Sequence, residues 1–120
     1  MEEQKIKQLI TAYATAIDAG NATAAANFLD TEFRVVLNNY KNEGKTVILS
    51  RSQYLEMLLD GRAGGAKRIL SFLLLDVYGN AAIAKVKLEG DKTIFNNYYS
   101  LIRRNDDWLV VNDIPQIESK

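Results

Sequence analysis

Histidine and cysteine are both missing from the 120 residues. Their absence excludes thiol nucleophiles, disulfides, Cys/His zinc sites, Ser-His-Asp triads and histidine general bases, and neither a metal nor another cofactor is expected. Charge of one sign is missing too. Fifteen Lys+Arg balance fifteen Asp+Glu, with no clustering of basic residues, so there is no electrostatic footprint for nucleic acid or an anionic membrane surface. Proline occurs once, at Pro115, and no linker or repeat divides the chain, which predicts a single domain over 1–120. No apolar run is longer than that from Phe72 to Leu75, far short of a membrane span. Glu2-Glu3-Gln4-Lys5 is acidic and passes straight into a helical pattern, without the basic and apolar regions of a secretory leader, and a cytoplasmic location is expected. Carboxylate, tyrosine, lysine or serine chemistry remains, or none.

Apolar residues make up 48% of the sequence, enough for a chain of this length to bury a core without cross-links. Ile6, Leu9, Ile10, Tyr13 and Ile17 follow helical spacing up to Gly20, and Asn21 caps a short alanine-rich helix expected to run through Leu29. From Glu32 the period changes to two, with Phe33, Val35 and Leu37 on one side of a strand. Asn42-Glu43-Gly44 turns it back through Lys45 to Leu49. Ser50 and Gln53 fit a capping box before a helix with Tyr54, Leu55, Leu58 and Leu59 on its buried stripe. After the glycine-rich loop of Gly61, Gly64 and Gly65, four strands are predicted at about Lys67–Tyr78, Ala81–Glu89, Lys92–Arg103 and Trp108–Ile114. Gly79-Asn80, Gly90-Asp91 and the polar Arg104–Asp107 segment form their turns. The order predicts an α+β domain with helices packed on one face of a curved antiparallel sheet.

Even-numbered turns fix which residues meet. Val77 is expected opposite Ala82, Leu75 opposite Ala84, Leu73 opposite Val86 and Ser71 opposite Leu88. Across Gly90-Asp91, Val86 is expected opposite Phe95, Ala84 opposite Asn97 and Ala82 opposite Tyr99. Symmetric pairing at the last turn sets Leu101 against Val110, Arg103 against Trp108 and Tyr99 against Asn112. One face is then apolar apart from Asn97, Tyr99 and Asn112, which lie beside the small Ala82 and Ala84. That combination predicts a ligand cavity under the helices lined by Tyr13, Phe33, Tyr54, Ala84, Asn97, Tyr99, Trp108 and Asn112. The alternative is that the alanines admit close helix packing and the amides pair with backbone groups. The other face mixes Leu70, Phe72, Leu74, Ile83, Ile94, Tyr98, Ile102, Leu109 and Val111 with a few charges. So large an apolar patch points to a partner, and a homodimer is expected.

Several segments resemble one superfamily. Tyr13 to Asn21, the turn from Phe28 to Phe33, and the Ser50–Leu59 helix look like nuclear transport factor 2-like proteins. Gly79 to Val86, Phe95 to Leu101 and Trp108 to Asn112 are similar to the putative lumazine-binding and SnoaL-like branch. The resemblance implies a cone-shaped, cystatin-like α+β roll, N-terminal helices packed on a curved antiparallel sheet, with an internal pocket and often dimeric through its outer sheet face. Relatives include polyketide cyclases, ketosteroid-isomerase-like enzymes, dehydratases and non-catalytic binding or assembly domains. It also implies departures: Leu29 stands where relatives often carry His, and Asn97 where they often carry Asp. An Asn takes no proton near neutral pH, which removes an acid-base group from that position.

The remaining candidates for chemistry are Tyr13, Tyr99, Asp18, Asp76 and Asp113. Alternation places Asp76 and Asp113 on the outer face, and Asp18 is expected to be solvated at the end of the first helix. No catalytic residue is therefore assigned. The leading expectation is a small-molecule-binding domain using Tyr13, Phe33, Tyr54, Asn97, Tyr99, Trp108 and Asn112, suited to a planar ring that the amides can meet with donors and acceptors. An isomerase, dehydratase or cyclase-like enzyme and a non-catalytic dimeric interaction domain are the alternatives.

Overall fold

A computed structural model describes residues 2–120. Helix α1 spans Glu2–Asp18, with acidic Glu2 and Glu3 in its first turn, where the helix dipole favours them. It ends where Gly20 takes a φ of +68°, a conformation that costs glycine nothing. Helix α2 is only Ala22–Ala26, and the Asn21 side chain accepts the Ala24 N–H at its start. It stops short of the expected Leu29, because Leu29 already belongs to strand β1, Leu29–Asn38. Strand β2, Thr46–Ser50, returns beside β1. Helix α3, Arg51–Leu59, begins with the capping box read from Ser50 and Gln53: each side chain accepts the other's backbone N–H.

Strands β3 (Ile69–Tyr78), β4 (Ala81–Glu89), β5 (Thr93–Arg104) and β6 (Asp107–Ser119) complete a sheet of order β2-β1-β6-β5-β4-β3. The sheet is mixed rather than wholly antiparallel, since β1 and β6 run parallel. β6 also continues beyond the expected Ile114. Its Pro115 lies past Asp113, the last residue paired with β1, where the strand has a free side and proline is tolerated. The core between helices and sheet holds Ile6, Ile10 and Ile17 from α1, Leu58 from α3, and Phe33, Val86, Leu101 and Val110 from the sheet.

Three details of register differ from the symmetric expectation. At Gly79-Asn80 the expected pairs Val77–Ala82 and Leu75–Ala84 form, but a bulge between Phe72 and Leu74 then sets Phe72 opposite Val86 and Leu70 opposite Leu88. Phe72 and Leu70 thus turn inward, and they leave the outer patch in which alternation placed them. At the next turn Asp91-Lys92 forms the centre, closed by Gly90 N–H donating to Thr93 C=O at 2.9 Å. Partners move by two, so Ala84 faces Tyr99 and Val86 faces Asn97, while every side chain keeps its face. At the last turn Leu101–Val110 and Arg103–Trp108 pair as expected, but Val111 is an extra residue: Ser100 faces Asn112, and Tyr99 faces Asp113. A single inserted residue reverses the side of everything beyond it.

Candidate functional site

One row of residues crosses all six strands on the inner face: Leu75, Ala84, Tyr99, Asp113, Val35 and Leu49. The apolar members are ordinary core; Tyr99 and Asp113 are not. Above them Tyr13 descends from α1, its ring edge-on to Tyr99 at 6.3 Å between centroids and to Phe28 at the same distance. Phe33 of β1 packs against Tyr54 of α3 at 5.9 Å. Asn97, two residues before Tyr99 on the same face, donates its Nδ2 to the Tyr99 hydroxyl at 3.1 Å. Tyr13, Tyr99, Asn97 and Asp113 are all buried.

Burial sets the electrostatics. It pushes the Asp113 carboxyl up to about 8, and the charge of Arg68 offsets only part of that. Asp113 is therefore largely protonated at neutral pH and offers an O–H as well as a lone pair. Desolvation, with the nearby Asp113 second or third in effect, holds the Tyr13, Tyr54 and Tyr99 hydroxyls above their ordinary range. Three polar atoms in this group lack a well-formed hydrogen bond: Asn97 Oδ1, Asp113 Oδ1 and the Tyr13 hydroxyl, which has the Tyr54 hydroxyl near it. At one end stands an ion pair. Arg68 gives its backbone N–H and Nε to the two carboxylate oxygens of Asp18, at 3.1 and 2.7 Å, and its guanidinium covers the Phe95 ring at 4.8 Å.

Tyr13, Tyr54, Asn97 and Tyr99 thus come together as a cluster, with Phe33 packed on Tyr54. Asn112 does not join it: the Val111 bulge turns it to the outer face, where it accepts the Arg34 Nε at 3.1 Å. Trp108 is buried on the inner side but at the far end, where its indole N–H donates to Glu2 at 2.6 Å. Eleven residues of helix separate Glu2 from Tyr13, about 16 Å along the axis. Asp113, which alternation placed on the outer face, is buried on the inner one, and Asp18, expected to be solvated at the helix end, is largely withdrawn from water against Arg68. The unbroken apolar run from Trp108 to Val111 hides the change of side that delivers Asp113, and nothing local marks the bulge. Two grooves, of about 250 and 310 Å³, lie along the outside of α1, the first against Phe72 to Leu75, and no residue of the cluster lines either. Among the described residues no group of three His, Cys, Asp or Glu could hold a metal, and no helix is long and apolar enough to cross a membrane.

The model of the family described as putative lumazine-binding matches residues 1–114. The chain belongs to that family. Its fold is shared with solved nuclear transport factor 2-like proteins. One from Shewanella baltica superimposes with a TM-score of 0.86 at 13% identity, covering 99% of this chain and 95% of that one. One from Silicibacter pomeroyi gives 0.83 at 17% identity over 98% and 96%, and one from Cytophaga hutchinsonii 0.81 at 11% over 97% and 98%. The first two are described as being of unknown function. Identities this low establish the fold, a nuclear transport factor 2-like cone, and nothing of the chemistry. No protein of curated function matches the sequence.

Proposed function

We propose that this domain binds a small, neutral, planar molecule against the tyrosine–aspartate cluster, and that the ligand presents a carbonyl beside a ring N–H. The observation that carries the reading is the set of three buried polar atoms without a well-formed hydrogen bond on α1, β5 and β6. Leaving such a group unmade costs roughly 1–3 kcal/mol, so three together favour an occupant that satisfies them. Their chemistry is complementary to an amide edge. The Tyr13 hydroxyl and the protonated Asp113 donate, whereas Asn97 has committed its Nδ2 to Tyr99 and keeps Oδ1 as an acceptor. Lumazine, after which the family is described, carries such an edge. Because the cluster is closed, entry requires an element to move aside. Helix α3 carries Tyr54 and has only Leu58 fully buried, so it is the element we infer to move.

Titration of the purified protein with lumazine, followed by its tyrosine and tryptophan emission, tests this. Saturable binding weakened about tenfold in Tyr13→Phe and in Asn97→Leu supports it, since one lost hydrogen bond is worth about that factor. Absence of binding to lumazine and to other neutral heterocycles with an amide edge refutes it.

Asp113 favours one second reading. A carboxyl that titrates near neutrality among three tyrosines has the makings of acid-base catalysis on a ketone or enol, as in an isomerase, dehydratase or cyclase-like enzyme. Turnover of such a substrate that disappears in Asp113→Asn supports it. Independently of either, Leu74, Ile83 and Tyr98 stand half-exposed on the outer sheet face. We propose that a second copy covers them, as in a dimeric interaction domain.

A further inference from the structure

We propose that β3 is a self-association edge: it pairs antiparallel with β3 of a second copy about a twofold axis between Leu73 and Leu74, joining the two sheets into one. The contact stands apart from the ligand reading and from any copy that covers the outer face.

β3 is an outermost strand, with one side bonded to β4 and the other unpaired. Such edges are ordinarily guarded by shortness, by lysine or by proline. β2, at the opposite edge, is short, whereas β3 runs ten residues and contains neither lysine nor proline. Its one irregularity is the bulge between Phe72 and Leu74, and the bulge selects the partner. Tyr78 and Ala81 close the two-residue turn as a hydrogen-bonded pair, so Tyr78, Asp76 and Leu74 bond to β4, and beyond the bulge Ser71 and Ile69 do. Leu70, Phe72, Leu75 and Val77 therefore aim their N–H and C=O groups outward, with a step of three residues instead of two at the bulge. A regular strand offers its groups at every second residue and falls out of step across that gap. A second β3 has the same gap. Turned antiparallel, it sets Leu70 against Val77 and Phe72 against Leu75, twice each, and both halves of the edge stay in register.

Side chains and charges fit this register. Ile69 and Tyr78, 71% and 91% exposed, come face to face on the outer side. Asp76, the one charged residue of β3, meets Ser71, whose neighbour on β4 is Lys87. The two Asp76 carboxylates thus never oppose one another, and each has a hydroxyl donor and a cation on its side of the sheet. On the inner side, the groove of about 250 Å³ between α1 and β3 is lined by Glu3, Lys7 and the segment from Phe72 to Leu75. Neither Glu3 nor Lys7 has an ion-pair partner among the described residues, and the Lys7 ammonium lies 5.7 Å from the centre of the Phe72 ring. The axis passes through this groove. Phe72 of each copy enters it beside Leu75 of the other, and Glu3 of each approaches Lys7 of the other.

Isotope-filtered NMR on a mixture of labelled and unlabelled whole chains at about 1 mM tests the seam. Within one chain Ile69 and Tyr78 lie about 30 Å apart and Leu70 and Val77 about 23 Å, so a cross-peak within either pair arises only between copies. Both cross-peaks are expected. The concentration dependence of the β3 amide shifts gives a dissociation constant of about 0.1–1 mM, since so short a seam holds weakly. Leu73→Lys, at a half-exposed side chain, puts two like charges at the axis and weakens association at least about tenfold. Ile83→Asp, which addresses the outer face, keeps both cross-peaks. Absence of the Ile69–Tyr78 cross-peak in the wild type at about 1 mM overturns the proposal, whether or not Leu73→Lys folds. Contacts between copies confined to Leu74, Ile83 and Tyr98 overturn it in favour of the outer face.

Discussion

Tyr99 and Asp113 stand directly opposite one another on β5 and β6, and the extra residue Val111 puts them there. Their juxtaposition places a carboxyl in the row where the fold otherwise stores apolar side chains. Its cost to the folded state depends on pH. The folded carboxyl holds its proton to about 8, whereas an unfolded aspartate loses it near 3.8. The folded state therefore binds more protons across that window, and stability falls as pH rises through it. Asp113→Asn removes this dependence. At pH 7 the variant is more stable than the wild type by up to about 4 kcal/mol, and near pH 4 the two converge. Urea denaturation at several pH values measures the difference; a constant difference contradicts a buried acid.

Tyr13→Phe deletes a buried hydroxyl that makes no well-formed hydrogen bond, although the Tyr54 hydroxyl lies near it. Ordinary buried tyrosines lose stability on this change, but here the ligand-free protein is expected to gain about 1 kcal/mol. A thermal melt in the absence of ligand shows a midpoint raised by a few degrees. A lowered midpoint means that the hydroxyl has a partner.

The opposite pH sign is expected at the far end of α1. Trp108 and Arg103 both donate to Glu2, and the Trp108 bond foremost holds its carboxyl below the usual range. A depressed carboxylate contributes stability above its unfolded value and loses it as pH falls through the folded one. Trp108→Phe therefore destabilises at neutral pH and does so less below about pH 4. Measuring its melting temperature at both pH values against wild type checks this, and an equal deficit at both would leave only lost packing as the cause.

Gly64→Ala tests the seat of the loop between α3 and β3. The glycine has a φ of +71°, and a Cβ there would lie 2.4 Å from the Ile17 carbonyl oxygen. Strain and clash together predict a loss of roughly 1–3 kcal/mol in chemical denaturation. Gly61→Ala, with open space around it, loses less.

Ile83→Asp tests the outer face. If a second copy covers Leu74, Ile83 and Tyr98, the charge enters the interface twice, and light scattering shows a monomer where the wild type is a dimer. A wild type that stays monomeric at millimolar concentration refutes the dimer.

Element positions were legible because helix caps, turns and periodicity are local. Ser50 and Gln53, Gly79 and Asn80, and the alternation around Phe33 each carry their signal within a few residues. The faces of Asn97 and Tyr99 were legible too, since a shift of two leaves a face unchanged. What escaped were the bulges. Whether Asn112 or Asp113 points inward depends on Val111, which differs in no local property from Val110. The pairing of Arg68 with Asp18, fifty residues apart, was equally invisible, because contact between them arises only when the α3–β3 loop folds back onto the end of α1.

The parallel partnership of β1 and β6 has a consequence for synthesis. β6 is made after the five other strands of the sheet, yet it lies between β1 and β5. Arg34 and Asn112, which meet across that junction, are 78 residues apart. A nascent chain whose β6 has not yet emerged from the ribosome therefore carries two unsatisfied interior edges. Closure waits for β6 to emerge, which makes the folding step slow for a domain of this size and the incomplete sheet prone to association.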